Sequence, residues 1–228
     1  MCGRFTISFT VGFTDRFRVQ IPEPLPPPRY NVAPSQQVPV IVCGKDGNRE
    51  IIEMQWGLLP AWSHDPASAH RPINARAETL TKRPAFRSLV RHRRCLVPAT
   101  GFYEWQKIGK RRLPHYIRRK DGDFLAFAGL YDIWKPPASM PHISFAIVTT
   151  EPNDAVVPYH DRMPAILREN DEACWLSPDP IPEYELQKML APYPSGLLES
   201  WQVSCLVNNP DHEGAELLAR QKDINSFF

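Results

Sequence analysis

Short apolar runs separated by turn residues predict a chain built mainly from β-strands. Residues 38–42 are rich in β-branched side chains, and Asp46 and Gly47 separate them from a second apolar run at residues 51–56. An Asp-Gly pair between two such runs is typical of a β-hairpin. Residues 143–150 have a similar composition and predict a further strand.

A second hairpin is predicted from residues 113–118 and 124–131, which flank a turn signal at Asp121 and Gly122. One more strand is predicted near the C-terminus, at residues 203–207. Helical patterns are fewer, and they predict helices at residues 10–19, in a basic stretch that Pro84 interrupts, at residues 183–190 and at residues 213–221.

Length and composition indicate one globular domain. The chain has 228 residues, of which 43% are hydrophobic and 23% are charged, enough for one substantial core. We therefore predict a single domain over residues 1–228, with the proline-rich run at residues 22–28 as an extended connector. No run approaches the roughly 18–20 apolar residues of a membrane span, and no signal-peptide pattern is present, so we expect a cytoplasmic protein without membrane contact.

Cysteine and glycine patterns give no sign of a bound metal or cofactor. The five cysteines lack C-x-x-C spacing, and no glycine-rich phosphate loop follows a predicted strand. We expect neither a disulfide framework nor a metal site nor a cofactor.

Charge is distributed very unevenly along the chain. Residues 71–120 contain 15 Lys and Arg against 2 acids, whereas residues 151–228 contain 5 against 14. A segment this basic suggests a polyanionic partner, of which DNA or RNA is the usual one. The alternative is a solvated face that the acidic C-terminal third neutralises in space, and charge alone leaves both open.

Cys2 has the most distinctive chemistry in the chain. Removal of Met1 would leave Cys2 with a free α-amine and a thiol on adjacent carbons, a 1,2-aminothiol. Reference pKa values of roughly 7.7–8.0 for the amine and ~8.5 for the thiol leave both partly deprotonated near neutrality. Such a group suits thiolate attack on an amide with the amine as base. It also suits condensation of the amine with an aldehyde, after which the thiol closes a thiazolidine ring.

Two further residues are candidates for acid-base chemistry. Glu104 lies among aromatic residues at 101–105, where strand alternation would expose it or a semi-apolar pocket would raise its pKa. His160 lies in a loop between two prolines, which would stiffen the loop and hold a catalytic group, although a plain surface histidine is the alternative. Trp56 and Trp62 belong to an apolar run, and we predict core or pocket-wall positions for both.

Seven motifs, spread in order over nearly the whole chain, resemble those of the SRAP family, the SOS response-associated peptidases. They are Met-Cys-Gly-Arg-Phe at residues 1–5, Asn-Val-Ala-Pro at 31–34, Trp-Gly-Leu-Leu-Pro at 56–60, Ile-Asn-Ala-Arg-Ala-Glu at 73–78, Arg-Cys-Leu-Val-Pro at 94–98, Gly-Phe-Tyr-Glu-Trp at 101–105 and His-Asp-Arg-Met-Pro at 160–164. The resemblance implies a single α+β domain with a curved, barrel-like antiparallel sheet flanked by helices.

The resemblance also implies a function in the response to DNA damage. Members of the family form a covalent thiazolidine crosslink with abasic sites in single-stranded DNA, and the family name reflects an inferred peptidase activity that removes the first methionine. Weak lyase activity is a natural side reaction. The residues implied to act in catalysis are Cys2, Asn74, Glu104 and His160, and those implied to hold DNA are Arg4, Arg76, Trp105 and Arg162.

From these implications we expect abasic single-stranded DNA as the partner of a monomer that joins the nucleoid during DNA damage. Two other functions stay open. A cysteine amidotransferase or peptidase would also begin with Met-Cys-Gly, although no glutamine-pocket motif is evident and Arg4 replaces the usual apolar residue. A non-covalent nucleic-acid-binding module would need neither Glu104 nor His160 for its DNA function.

Overall fold

Twelve strands and four short α-helices make up the regular structure of the described residues. The computed structural model describes residues 2–10, 12–21, 26–136 and 140–221, so Met1 and residues 22–25 of the proline-rich run lie outside the described residues. The strands are β1 (Phe5–Ile7), β2 (Arg29–Val32), β3 (Gln37–Cys43), β4 (Arg49–Trp56), β5 (Asn74–Arg76), β6 (Arg94–Ala99), β7 (Gly101–Ile108), β8 (Arg111–Arg119), β9 (Leu125–Trp134), β10 (His142–Thr150), β11 (Met163–Pro164) and β12 (Leu198–Gln202).

The strands form two sheets, and one of them closes on itself. The first sheet has the order β12-β8-β7-β1-β2, and the second has the order β11-β10-β4-β3-β6-β9 with β5 beside β10. Because β9 pairs with both β6 and β10, the strands β10, β4, β3, β6 and β9 form a closed ring. Most pairs are antiparallel, but β10 runs parallel to β4 and β5. The fold is therefore α+β with a barrel-like core, which confirms the predicted class.

Helices are short and lie outside the sheets. They are α1 (Gly12–Phe17), α2 (Leu89–His92), α3 (Glu169–Leu176) and α4 (Glu183–Met189), with 3-10 turns at Ala77–Thr79, Ser195–Leu197, Cys205–Asn208 and Ala215–Leu218. Among the residues that the structure describes, no helix is long and apolar enough to cross a bilayer.

The main core joins the two sheets and fixes the start of the chain. Phe5 in β1 is fully buried. Its ring centroid lies 5.2 Å from that of Trp56 and 6.0 Å from that of Phe127, both in the second sheet. Burial of a side chain of this size stabilises the fold by about 1.5–3 kcal/mol. The segment that carries Cys2 is therefore anchored three residues downstream in the interior.

Gly101 allows β1, β7 and β8 to approach one another closely. A Cβ atom at this position would lie 2.4 Å from the Tyr116 hydroxyl oxygen and 2.7 Å from the Ile117 carbonyl oxygen. Because glycine has no Cβ, the Tyr116 hydroxyl group can lie there and form a hydrogen bond of 2.9 Å with the Thr6 hydroxyl group. Glycine at position 101 thus seats the first strand against its neighbours.

Several predicted elements are confirmed. The hairpin around Asp46 and Gly47 is β3 with β4, in register from Gln37 opposite Gln55 to Cys43 opposite Arg49. The strand predicted at residues 143–150 is β10, and the helix predicted at residues 183–190 is α4. The first helix is shorter than predicted, and it packs on the core through the buried side chains of Phe13 and Phe17.

The second hairpin prediction is wrong, although both of its runs are strands. β8 pairs with β7 and β12, whereas β9 pairs with β6 and β10. The turn at Asp121 and Gly122 therefore leads the chain from one sheet into the other instead of closing a hairpin. A turn signal predicts a reversal of direction, but it does not identify the strand that becomes the neighbour.

Predictions for the C-terminal part and for the basic stretch are also partly wrong. Residues 203–207 are not a strand, because β12 ends at Gln202 and a 3-10 turn, Cys205–Asn208, follows. The predicted closing helix is a single 3-10 turn, Ala215–Leu218, and the basic stretch around Pro84 contains only α2 and the turn Ala77–Thr79. Helix α3 was not predicted. Its buried residues are Glu172, Trp175 and Leu176, and the remaining residues are mostly polar, so the sequence shows no clear apolar helical pattern there.

Candidate active site at the start of the chain

Strand pairing places the first residues of the chain beside Glu104. β1 is antiparallel to β7, with Phe5 opposite Phe102 and Thr6 opposite Gly101. The ladder continues towards the chain start, because the Tyr103 amide donates a hydrogen bond of 3.0 Å to the Arg4 carbonyl oxygen. Extending this register brings Gly3 opposite Glu104.

Asn74 reaches the same point from the second sheet. It begins β5, where it is opposite Ile147 of β10. Its Nδ2 donates a hydrogen bond of 2.9 Å to the carbonyl oxygen of Cys2. Its Oδ1 is buried and has no hydrogen-bond partner among the described residues. Asn74 therefore fixes the backbone of Cys2 and offers an acceptor that the described protein groups leave unused.

Cys2 and Glu104 are buried close enough for their charges to interact. Cys2 is fully buried, and Glu104 is 1% exposed. Burial raises the pKa of the Cys2 thiol, and the negative charge of Glu104 raises it further. Burial is also the main cause that raises the Glu104 pKa to about 7, and Asp161 adds to the effect. Glu104 can thus hold or release a proton near neutral pH, while the thiol stays protonated.

His160 lies in the loop between β10 and β11, next to two possible hydrogen-bond partners. Its Nδ1 lies 3.0 Å from the backbone nitrogen of Arg162 and 2.7 Å from Asp161 Oδ1. One nitrogen cannot serve both partners at once, because accepting from the Arg162 amide needs a lone pair and donating to the carboxylate needs a proton. Burial lowers the His160 pKa, which favours the neutral ring and the bond from Arg162.

Glu104 and His160 line one cavity of about 330 Å³. Its other lining residues are Trp105, Lys107, Arg112, Tyr159 and Asp161. The Tyr159 ring is stacked on His115 at a centroid distance of 4.3 Å, and its hydroxyl group lies 2.9 Å from Ser200 Oγ. The cavity therefore has one aromatic wall, acid-base groups and two cations at its edge.

Of the four residues expected to hold DNA, Arg76 is exposed and the other three are partly buried. Arg76 ends β5 and is exposed. Trp105 is partly exposed, and its Nε1 donates a hydrogen bond of 2.7 Å to Asn208 Oδ1. A cation at Arg76 and a flat ring at Trp105 are suited to phosphate contact and base stacking, respectively.

Arg4 and Arg162 are each held by two groups of the protein. Arg4 Nη1 donates hydrogen bonds of 2.7 Å to Asn31 Oδ1 and 2.7 Å to the Val207 carbonyl oxygen. Arg162 forms a two-pronged ion pair with Glu78, with bonds of 2.7 Å and 3.0 Å, and donates another of 2.6 Å to the Thr149 carbonyl oxygen. Both arginines thereby tie segments of the site to one another.

The prediction for the tryptophans is right for one and wrong for the other. Trp56 is fully buried, but Trp62 is 57% exposed. Trp56 ends β4 inside the core, whereas Trp62 comes after the strand, in a turn. An apolar run alone cannot tell where the strand leaves the core.

The sequence assigned no role in the site to Lys107, Arg112, Tyr159 or Glu78. Lys107 and Arg112 belong to the basic segment, so charge density was a signal, but only the pairing of β7 with β8 brings them to the cavity. Tyr159 is adjacent to His160 in the chain, and Glu78 ends the Asn-Ala-Arg-Ala-Glu motif. Among the described residues, no group of three or more His, Cys, Asp or Glu is arranged to hold a metal ion.

Comparison with known proteins finds a matching family model and several similar chains. A family model described as SOS response associated peptidase (SRAP) matches residues 1–210. The "Abasic site processing protein YoaM" of Bacillus subtilis is 43% identical over 223 residues, which cover 96% of this chain and 97% of that protein. The "Abasic site processing protein YoqW" of the same organism is 41% identical over 223 residues, covering 96% and 99%.

A solved structure shares the architecture. The crystal structure of a protein from Bacteroides thetaiotaomicron superposes with a TM-score of 0.85 at 26% sequence identity and covers 97% of this chain and 100% of its own. The two sheets described above are thus an arrangement found in other chains.

Proposed function

The chain belongs to the SOS response associated peptidase family, and from this premise we propose that it processes abasic sites in DNA by forming a covalent thiazolidine crosslink through Cys2. The observation that carries the proposal is the convergence of Cys2, Asn74, Glu104 and His160, which come from four separate segments of the chain. Relatives that share 41–43% of their residues with this chain are named abasic site processing proteins, which supports DNA with abasic sites as the substrate.

Specificity for damage follows from the reacting carbon. A ring-opened abasic deoxyribose has an aldehyde at C1′, which an intact nucleotide lacks. The Cys2 amine attacks this carbon to give a carbinolamine, which loses water to form an iminium. His160 lines the same cavity as Glu104. For this step its neutral ring first takes up a proton from solvent, with Asp161 Oδ1 2.7 Å from Nδ1 to stabilise the cation, and then passes a proton to the departing hydroxyl group.

Ring closure makes the product stable. The Cys2 sulfur adds to the iminium carbon, and the thiol proton passes to Glu104, whose pKa of about 7 suits it to accept a proton at neutral pH. The net reaction joins an aldehyde and an aminothiol and releases one water. An iminium that stays open can lose the 3′ phosphate by β-elimination, so weak lyase activity is the side reaction of slow closure.

Asn74 positions Cys2 for both steps. Its Nδ2 holds the Cys2 carbonyl oxygen, and its buried Oδ1 is available to accept a hydrogen bond from the amine or from the sugar. The Cys2 nitrogen must be free, because an acylated nitrogen cannot form an iminium. Autocatalytic removal of Met1 by the same residues is therefore part of the proposal.

DNA contact is assigned to Arg76, which is exposed, and to Trp105, which is partly exposed. Arg76 binds phosphate, and Trp105 stacks on a base. Arg4 and Arg162 support the site through their protein partners. Single-stranded DNA is the proposed form, because a base-free sugar reaches a cavity of about 330 Å³ more easily when the strand is not paired.

A denaturing gel separates this function from the two alternatives. The protein is incubated with a single-stranded oligonucleotide that carries either a natural abasic site or a tetrahydrofuran analogue, which has no aldehyde. We expect a shifted band with the natural site only, and a much weaker band for Glu104→Ala and His160→Ala. Hydrolysis of glutamine or a peptide without any shifted band would favour an amidotransferase or peptidase. Unchanged DNA function in both variants would favour a non-covalent binding module.

A further inference from the structure

The β7–β8 hairpin ends in an exposed cluster of positive charge. Residues 107–112, here called the basic hairpin, contain Lys107, Lys110, Arg111 and Arg112, and all four are exposed. Arginines farther along β8 are neutralised, since Arg118 pairs with Glu199 at 2.9 Å and Arg119 with Asp121 at 2.7 Å. In the described part of the chain, no ion pair involves any of the four hairpin cations. Their charge is therefore available to a partner.

The hairpin has a defined shape. Lys107 is opposite Arg112, and Ile108 is opposite Arg111 in the antiparallel register. Gly109 closes the turn with a φ of 59°, in the region that glycine adopts without strain. Three of the cations are thus presented on paired strands and Lys110 on the tight turn between them, so little conformational freedom of the backbone is lost when they bind.

The hairpin also lies next to the candidate active site. Lys107 and Arg112 line the cavity that contains Glu104 and His160. Burial is the main cause that lowers the His160 pKa, and the positive charge of Arg112 lowers it further. Arg112 is therefore close enough to His160 for their charges to interact. A strand that delivers a sugar into the cavity would pass these side chains, and its phosphates would meet the positive charge.

We propose that the basic hairpin binds the phosphates of the DNA strand on either side of the sugar that enters the cavity. This inference rests on the proposed function, since it assumes that the cavity receives an abasic sugar. In this proposal residues 107–112 make the phosphate contacts that do not depend on base sequence. Arg4 and Arg162 were first expected to hold DNA, but they are hydrogen-bonded to Asn31 and Glu78, respectively. Phosphate contacts of this type fix position without reading bases.

Salt dependence of binding tests the proposal without the chemical step. The probe is a fluorescent single-stranded oligonucleotide with one tetrahydrofuran abasic analogue, and affinity is measured by anisotropy over a range of salt concentrations. The test variant is Lys110→Gln/Arg111→Gln, two residues of the tip that do not line the cavity. The matched control is Arg83→Gln/Arg87→Gln, which removes two exposed arginines of the same basic segment that lie outside the hairpin and do not line the cavity.

We expect the slope of log affinity against log salt to fall by about 1.4 for the tip variant, since each phosphate contact on a single strand contributes about 0.7. The control should keep the wild-type slope. A tip variant with the wild-type slope, or a control that loses as much, would overturn the proposal. If the double variant does not fold, Lys110→Gln alone should lower the slope by about 0.7.

The wild-type protein is tested in parallel for crosslinking to natural abasic DNA, so that the two proposals fail separately. An unchanged slope together with wild-type crosslinking refutes only the role of the hairpin. Absence of wild-type crosslinking refutes the proposed function whatever the slope shows.

Discussion

Asn74 Nδ2 donates a hydrogen bond of 2.9 Å to the carbonyl oxygen of Cys2, and this bond joins the second sheet to the start of the chain. The two residues are far apart in the sequence, and no local rule connects them. Their contact exists because β5 pairs with β10 while β1 pairs with β7. The position of the proposed nucleophile is thus set by the packing of two sheets.

Loss of this bond should slow crosslinking without preventing DNA binding. For Asn74→Ala we expect the single-turnover rate on abasic DNA to fall about 10-fold or more, because one hydrogen bond to a buried group is worth roughly 1–3 kcal/mol. Affinity for the tetrahydrofuran analogue should stay within about twofold. Asn48→Ala, at the exposed β3–β4 turn, is the control and should react at the wild-type rate. A wild-type rate in Asn74→Ala would remove Asn74 from the mechanism.

Glu104 should impose a pH dependence on the reaction. Its pKa of about 7 means that the carboxylate, which we propose as the proton acceptor, becomes available as pH rises through about 7. The crosslinking rate of the wild-type protein should therefore rise across that range. Glu104→Gln should react slowly and lack this part of the profile, as shown by rates on a pH series. An identical pH profile in the variant would assign the titration to another group.

The same carboxyl group should make the folded protein less stable at higher pH. Its pKa is raised from 4.5 to about 7 in the folded state, so the folded chain binds more protons than the unfolded chain between these values. Stability is therefore present below about pH 4.5 and is lost as pH rises through about 7. Glu104→Gln should remove up to about 3 kcal/mol of this loss. Denaturant unfolding at pH 5 and pH 8 measures it, and an equal change in both proteins would contradict the assignment.

Variants of the ion pair between Arg162 and Glu78 test whether Arg162 positions the His160 loop or contacts DNA. The Arg162 side chain is 11% exposed and that of Glu78 is 45% exposed, and the Arg162 amide also contacts His160. If Arg162 positions the His160 loop, then Glu78→Ala and Arg162→Ala should both lower the crosslinking rate, and the double variant should lose little more than either one. If Arg162 instead binds phosphate, then Glu78→Ala should free it and strengthen binding to the analogue at low salt.

Glu172 offers a test of stability that is separate from function. This carboxylate is 1% exposed and accepts hydrogen bonds from Arg16 Nη2 at 2.6 Å and Arg49 Nη1 at 3.0 Å. Glu172→Ala leaves two poorly exposed cations without that partner, and we expect a loss of about 3 kcal/mol in the free energy of unfolding. At a temperature where the variant is folded, its crosslinking rate per molecule should equal that of the wild type. A defect in rate at full folding would link α3 to the site.

Local sequence patterns predicted the strands better than their partners. The β3–β4 hairpin was predictable because its turn and its two strands are adjacent in the chain. The separation of β8 from β9 was not, because a turn signal at Asp121 and Gly122 is compatible with either sheet. The exposure of Trp62 has a similar cause, since apolar composition does not mark the residue at which a strand leaves the core.

The candidate site could be predicted only as a set of residue types. The motifs pointed to Cys2, Asn74, Glu104 and His160, but their proximity depends on the two sheets and the β10–β11 loop. The sequence also could not predict which arginines would form ion pairs within the protein, because their partners lie in other segments of the chain. Arg162 and Arg76 look alike in the sequence, yet one is held by Glu78 and the other is exposed.

The most direct test of the account is the mass and stability of the adduct formed by Cys2. Wild-type protein and Cys2→Ala are incubated with the same abasic oligonucleotide, denatured and analysed by gel and by mass spectrometry of the digested adduct. We expect a heat-stable wild-type product in which the chain lacks Met1, begins at Cys2 and carries the DNA with loss of one water, and no stable product from Cys2→Ala. Full crosslinking by Cys2→Ala, or an adduct on a chain that retains Met1, would contradict the account.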